Sequence, residues 1–254
     1  MLGAVRWSAH SEALTAGIEE RCFEVRGATS GIPGLAWVPT KPREDGRAVL
    51  LGHGGGGDKR SRRNRELGQW FAGSARVPAV AIDGPYHGDR VAQAMPAPVY
   101  QSRWAKEGAQ VVVDRMIGDW LDCAAALCGV GLLDPQRLAY IGMSMGTRIG
   151  LPLAAHRGVD LRCAVLGKFG LTQSPGMHPG LAMVERLRAD APGVTSPVLF
   201  HAKIDDELFP LDGQLQLYDL LGSPQKTLQL APGGHAGTDD VSVAEWCEFV
   251  MDRI

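Results

Sequence analysis

Short apolar runs recur along this chain, separated by longer stretches of helical periodicity, and that alternation narrows the fold more than any other feature. Ala48 to Leu51 and Val77 to Ile82 are wholly apolar, and Leu138 to Ile141, Cys163 to Leu166, Val198 to His201 and Thr227 to Leu230 continue the series. Unbroken apolar runs suit strands covered on both faces, and their alternation with helices predicts a mostly parallel sheet with crossover helices. Cys22 to Arg26 and Leu35 to Pro39 read as an opening antiparallel pair around the turn residues Gly31, Pro33 and Gly34, so eight strands are expected.

Helices are expected over Arg62 to Phe71, Trp104 to Cys128, Ser144 to Ala155, Leu211 to Leu221 and Val241 to Met251. In the longest, Val112, Met116, Trp120 and Leu127 recur near helical spacing. A length of 254 residues fits one α/β domain spanning the whole chain. Between Gly170 and Gly193 lies a short insertion with one expected helix, Leu181 to Ala189. It is long enough for a minimal cap and too short for a second domain.

The balance of residues excludes several function classes. Hydrophobic residues make up 45% and charged residues 21%, which allows an ample core without disulfides or a structural metal. A formal net charge of -2 gives no footing for a nucleic-acid partner. The one dense basic run, Lys59 to Arg65, is followed by Glu66 and reads as the solvated start of a helix. Five scattered cysteines, Cys22, Cys123, Cys128, Cys163 and Cys247, contain no Cys-x-x-Cys pair. Cys22, Cys163 and Cys247 read as small core residues, and reduced thiols point to the cytoplasm. No secretory signal is read over Met1 to Ser8, and no stretch is apolar enough to span a membrane.

Chemistry concentrates where the run Leu138 to Ile141 meets Gly142-Met143-Ser144-Met145-Gly146. A serine on a tight strand-to-helix turn holds its Oγ above the sheet edge, and flanking glycines leave room for the neighbouring backbone. The helix that follows aims its positive N-terminus at the nucleophile. Ser144 therefore reads as a nucleophile, and it needs a base. His235, in Pro232-Gly233-Gly234-His235 after the last strand, is the best placed of seven histidines. His10, His156 and His178 read as surface or structural residues.

A carboxylate between Ser144 and His235 is needed to orient the imidazole. Ile204-Asp205-Asp206-Glu207-Leu208-Phe209-Pro210 offers three acids. Asp206 is the first choice, Asp205 the second and Glu207 the third. The glycine run Gly52-His53-Gly54-Gly55-Gly56-Gly57 follows another strand and can present backbone N–H groups to a developing oxyanion. The Gly55 and Met145 N–H groups are the expected donors, with Gly54 as the close alternative, and His53 reads as a brace for the loop. The run lacks the Gly-Lys-Ser/Thr ending of a phosphate-cradling loop. Asp83 to Arg90 forms another strand-end loop, where Tyr86 and His87 are candidates for lining a pocket. Lys168 and Phe169 are weaker pocket candidates.

Taken together, His53 to Gly57, Gly142 to Gly146, Asp206 and His235 make the chain resemble an α/β-hydrolase over nearly its whole length. It is most similar to compact dienelactone-hydrolase-like and prolyl-oligopeptidase-like serine esterases. The resemblance implies a mostly parallel eight-stranded sheet with helices on both faces and a minimal cap. It also implies carboxylic ester hydrolysis through an acyl-enzyme on Ser144, with no metal or organic cofactor. Thioesterase, amidase and peptidase chemistry use the same machinery, and a non-catalytic binding protein is the alternative of a different class. Dienelactone hydrolases proper use a cysteine nucleophile, so their substrate does not carry over. The expected partner is a small-molecule ester. A homo-oligomer is compatible with the sequence.

Overall fold

The computed structural model of the protein describes residues 4–15, 17–28, 30–43 and 45–254, with the side chains of 9–15 outside the description. The reading over Met1 to Gly3 and the role expected for the His10 side chain therefore lie outside the described residues.

The inner strands of the central sheet send alternate side chains to opposite faces, and both of those faces are buried. The strands are β1 (Val5–Thr15), β2 (Ile18–Arg26), β3 (Gly31–Pro39), β4 (Ala48–Gly52), β5 (Ala79–Ile82), β6 (Leu138–Met143), β7 (Leu161–Gly167), β8 (Val198–Lys203) and β9 (Lys226–Ala231). Their order across the sheet is β1-β2-β3-β5-β4-β6-β7-β8-β9. Pairing is antiparallel from β1 through β3 to β5 and parallel from there to β9. Val49, Leu51, Ala139, Ile141 and Val165 enter one core layer, and Leu50, Leu138, Tyr140, Ala164 and Leu166 enter the other.

The helices supply the matching faces. α1 (Arg62–Trp70) and α7 (Asp240–Met251) cover the first layer, with Leu67, Trp246 and Val250 buried against it. α2 (Ala97–Glu107), α3 (Ala109–Gly129), α4 (Met145–Ala154), α5 (Val184–Asp190) and α6 (Leu211–Leu220) cover the second. Trp104, Trp120, Ile149, Leu187 and Leu217 are their buried contributions.

Nine strands are present among the described residues, one more than the sequence leads one to expect. The addition is β1, which pairs only with β2 and so lies at the sheet edge. An edge strand half open to solvent needs no unbroken apolar run. Gly31, Pro33 and Gly34 lie inside β3 and not in a turn: Gly31 to Pro39 pair residue for residue with Arg26 to Ile18. Sheet pairing there overrides local turn preference. The single helix expected over Trp104 to Cys128 is two, α2 and α3, broken at Gly108, whose φ of +98° is open to glycine and costly for other residues. α2 starts at Ala97, after Pro96 and with Pro98 in its first turn, a start signal that the sequence reading passed over. Cys22 is only partly buried, unlike Cys123, Cys163 and Cys247, and its Sγ lies 3.4 Å from Arg60 Nη2.

The chain leaves β4 toward β5 on one side, while β6 pairs with β4 on the other. The loops that follow these two neighbouring strands therefore diverge and open a crevice at their carboxyl ends. Every loop singled out in the sequence leaves the sheet at this end.

Candidate active site

Ser144 sits at that crevice in a backbone conformation that only the surrounding turn sustains, with φ 60° and ψ -115°. Its N–H donates to the Gly167 carbonyl at 2.9 Å, which fixes the turn to the end of β7. Gly146 must be glycine: a Cβ there would lie 2.8 Å from the Gly52 carbonyl oxygen. Thr147 Oγ1 lies 2.7 Å from the Gly142 carbonyl and accepts from the Gly167 N–H, so three elements converge on the serine turn.

Ser144 Oγ lies 2.9 Å from His235 Nε2. On the other side of the ring, His235 Nδ1 lies 2.9 Å from Asp206 Oδ2 and 3.0 Å from Oδ1. A proton on Nδ1 satisfies the carboxylate and leaves Nε2 as the acceptor facing the serine hydroxyl. Burial alone would raise the Asp206 carboxyl. The His235 ring and the N–H groups of Phe209 and Leu208, at 2.8 Å and 2.9 Å, outweigh it and hold the group below the ordinary carboxylate range. Asp206 thus remains ionised and oriented.

The other two acids of the loop do different work. Asp205 Oδ2 accepts from the Gly233 N–H at 3.0 Å, and Glu207 Oε2 accepts from the His235 N–H at 2.8 Å. From below, Lys168 Nζ donates to the carbonyls of His235 (3.1 Å) and Gly237 (2.6 Å) and to Thr238 Oγ1 (2.5 Å). Lys203 Nζ donates to the Pro232 carbonyl. Four charged side chains therefore clamp the loop that carries His235. Lys168 lines the cleft, whereas Phe169 packs behind it, 4.7 Å from the Phe209 ring between centroids.

The glycine loop is held just as firmly. His53 Nε2 accepts from the Gly84 N–H at 2.7 Å, so Nδ1 carries the proton and donates to the Gly54 carbonyl at 2.8 Å. Burial, reinforced by the neighbouring His87, pulls His53 down to about 4, so it stays neutral near pH 7. The Gly57 N–H donates to Gly54 O at 3.1 Å, and His87 Nε2 lies 3.0 Å from Gly55 O. With both carbonyls occupied, the Gly55 N–H takes part in none of the hydrogen bonds among the described residues. The Met145 N–H opens α4, where a helix has no internal acceptor for it. Gly55, Gly54 and Met145 all line the cleft beside Ser144.

That cleft has a volume of about 810 Å³. Tyr86 and His87 form part of its wall, and the His87 ring packs 4.6 Å from that of Tyr100. Its cover has two parts. One is the segment from Met95 through Tyr100 and Trp104, which sequence reading missed together with the start of α2. The other is the expected insertion, of which Met177 and Leu181 reach the cleft. The helix of that insertion runs over Val184–Asp190, preceded by a short turn at Pro179–Leu181. His178 lies outside the cleft wall and caps that turn, accepting from the Gly180 N–H at 3.1 Å.

The basic run is not uniformly solvated. Lys59 is fully buried against Asp83 and lies 2.7 Å from Asp89, while Arg63 lines the cleft. No cluster of three or more His, Cys, Asp or Glu side chains able to hold a metal occurs among the described residues. No helix there is long and apolar enough to cross a membrane.

No protein-family model matches the sequence, and comparison with curated proteins finds no match. Solved structures do match. A cold-adapted esterase from an Arctic intertidal metagenomic library shares 30% identity over 98% of this chain and 99% of its own, with a TM-score of 0.83. Acetyl xylan esterase from Paenibacillus sp. R4 shares 18% identity over 98% of this chain and 89% of its own, with a TM-score of 0.78. Dienelactone hydrolase from Anabaena variabilis shares 19% identity over 93% and 97%, with a TM-score of 0.65. The last two show the fold alone. With the Ser144 turn at the carboxyl edge of this sheet, and 30% identity to the Arctic esterase over nearly the full length of both chains, the chain belongs to the α/β-hydrolase superfamily.

Proposed function

We propose that this protein is a serine carboxylesterase that cleaves esters of small or medium size through an acyl-enzyme on Ser144. The observation that carries the reading is the hydrogen-bonded series Ser144 Oγ, His235 Nε2, His235 Nδ1, Asp206. The name of the 30% identical relative supports an ester over an amide or thioester.

His235 accepts the Ser144 proton as Oγ attacks the ester carbonyl carbon. The charge that develops on the carbonyl oxygen is met by the N–H groups of Gly55 and Met145, and the His53 and His87 contacts hold the glycine loop in place for it. Asp206 stabilises the imidazolium and keeps the ring in the productive tautomer. His235 then gives the proton to the departing alkoxide. A water molecule, deprotonated by the same nitrogen, attacks the acyl-enzyme and releases the acid. Each step uses only ester, water and these side chains. The five free cysteines fit a reducing compartment, so the cytoplasm is the proposed location.

A panel of 4-nitrophenyl esters, acyl-CoA thioesters and aminoacyl 4-nitroanilides tests the substrate class. The reading predicts turnover of the short and medium 4-nitrophenyl esters with kcat/KM at least about 100-fold above the anilides, a gap of ~2.7 kcal/mol in barrier. Turnover of anilides or thioesters alone would overturn it.

A further inference from the structure

The proposed esterase chemistry accounts for the nucleophile, the base, the acid and the oxyanion donors, yet three cations line the same cleft: Arg63, Arg148 and Lys168. Two of them have protein partners. Lys168 spends its N–H groups on the His235 loop, and Arg148 donates to the Leu181 carbonyl with its guanidinium 5.1 Å from the Phe169 ring centroid. Arg63 has none. Its sequence neighbours pair, Arg60 with Asp89 and Arg62 with Glu66, but Arg63 makes neither an ion pair nor a hydrogen bond among the described residues. The one carboxylate in the cleft wall outside the triad loop, Asp58, accepts instead from the Arg60 N–H at 2.7 Å.

Arg63 thus leaves an unpaired, partly buried guanidinium in the cleft wall. Desolvation pulls Arg63 down to about 10, still far above neutrality, so it remains charged. Beside it, Ser61 Oγ is a buried hydroxyl with no hydrogen-bond partner, and Ser61 also lines the cleft. Ser61 directly precedes α1 and Arg63 lies in its first turn, where the helix dipole favours a negative guest, and Arg63 Nη2 lies 3.6 Å from where a Cβ on Gly54 would project. An orphan cation, an orphan hydroxyl and a helix start thus converge next to the oxyanion loop.

We propose that Arg63 and Ser61 form an anion subsite, and that the ester cleaved at Ser144 carries a carboxylate which this subsite holds. The proposal rests on the esterase reading and names the substrate class within it. A planar carboxylate matches the guanidinium fork through two N–H groups, with the Ser61 hydroxyl as a further donor. The anion enters on either the acyl or the alcohol portion, and two substrate pairs separate the two sources.

The acyl pair is mono-4-nitrophenyl glutarate against 4-nitrophenyl pentanoate, and the alcohol pair is 4-acetoxybenzoate against 4-acetoxybenzamide. For the wild type, kcat/KM should favour the anionic member of one pair by about tenfold or more, the scale of one charge-assisted hydrogen bond. Arg63→Gln should bring that ratio to within about twofold of unity, and Arg63→Lys should leave part of it, as one point charge in place of a fork. The ratio is the readout, because a purely structural role for Arg63, or a role at the oxyanion, lowers both members of a pair alike. No anionic preference in either pair for the wild type overturns the proposal without any variant, as does a preference that survives Arg63→Gln. Failure of all four esters to react would instead strike the esterase reading.

Discussion

Lys168 Nζ, just past the end of β7, donates to the backbone carbonyl of His235 at 3.1 Å, so this lysine helps to hold the proposed base in place. Burial, and after it the neighbouring charges of Arg63 and Lys203, pull this amine down to about 8 from an ordinary 10.5. As the ammonium it supplies three N–H donors to three acceptors, and as the neutral amine it has two. Activity should therefore decline as pH rises through about 8, and Lys168→Arg should move that alkaline limb upward. Stability should respond with the opposite sign. Between about 8 and 10.5 the unfolded chain holds a proton that the folded chain has released, so this group's contribution to stability rises with pH. A pH–rate profile beside a pH series of denaturant midpoints reads both. An alkaline limb that stays in place in Lys168→Arg would assign it to another group.

The three acids of the β8 loop should separate in mutant kinetics. Asp206→Asn removes the carboxylate that fixes the His235 tautomer and should lower kcat by about 10⁴-fold with little change in KM. Asp205→Asn and Glu207→Gln each replace the charged acceptor of an exposed backbone N–H by a neutral amide oxygen, and each should cost less than about tenfold. Steady-state kinetics on one 4-nitrophenyl ester measures all three. A larger loss at Asp205 than at Asp206 would overturn the assignment.

Lys59 and Asp83 form an ion pair with no solvent exposure on either side chain, and Asp83 also accepts from the Lys59 and Asp89 N–H groups, at 3.0 Å and 2.8 Å. Removing one partner of a buried pair leaves an uncompensated charge, which typically costs about 3–5 kcal/mol. Lys59→Met should lower stability in urea by that amount. A loss under ~1 kcal/mol would mean that water or Arg60 takes over the pairing.

Local signals made much of the site legible. The Ser144 turn sits between a strand and a helix that both declare themselves by periodicity, and His235 follows the last apolar run. The strand ends bring Ser144, Asp206, His235 and the glycine loop to one edge because parallel strands share a direction, so residues far apart in sequence need no further code. What escaped depends on direction and solvent. Asp206 ranks first among the three acids of its loop and does face the imidazole, but the backbone N–H groups that Asp205 and Glu207 hold follow from the backbone path alone. The run Lys59 to Arg65 looks solvated by composition, yet Lys59 is buried in an ion pair and Arg63 turns into the cleft. β1, lying at an edge, lacks the unbroken apolar run that marks the inner strands. α2 was absorbed into a longer helical pattern, because Gly108 breaks the helix without breaking the amphipathic stripe.

The central claim is that Ser144 Oγ is a nucleophile activated by His235. Treatment with a fluorophosphonate, followed by intact-mass and peptide mass spectrometry, tests it most directly. The account predicts one stoichiometric adduct on the peptide carrying Ser144, absent in Ser144→Ala and much slowed in His235→Ala. Wild-type protein that stays unmodified, or a Ser144→Ala variant labelled to the same extent, would contradict it.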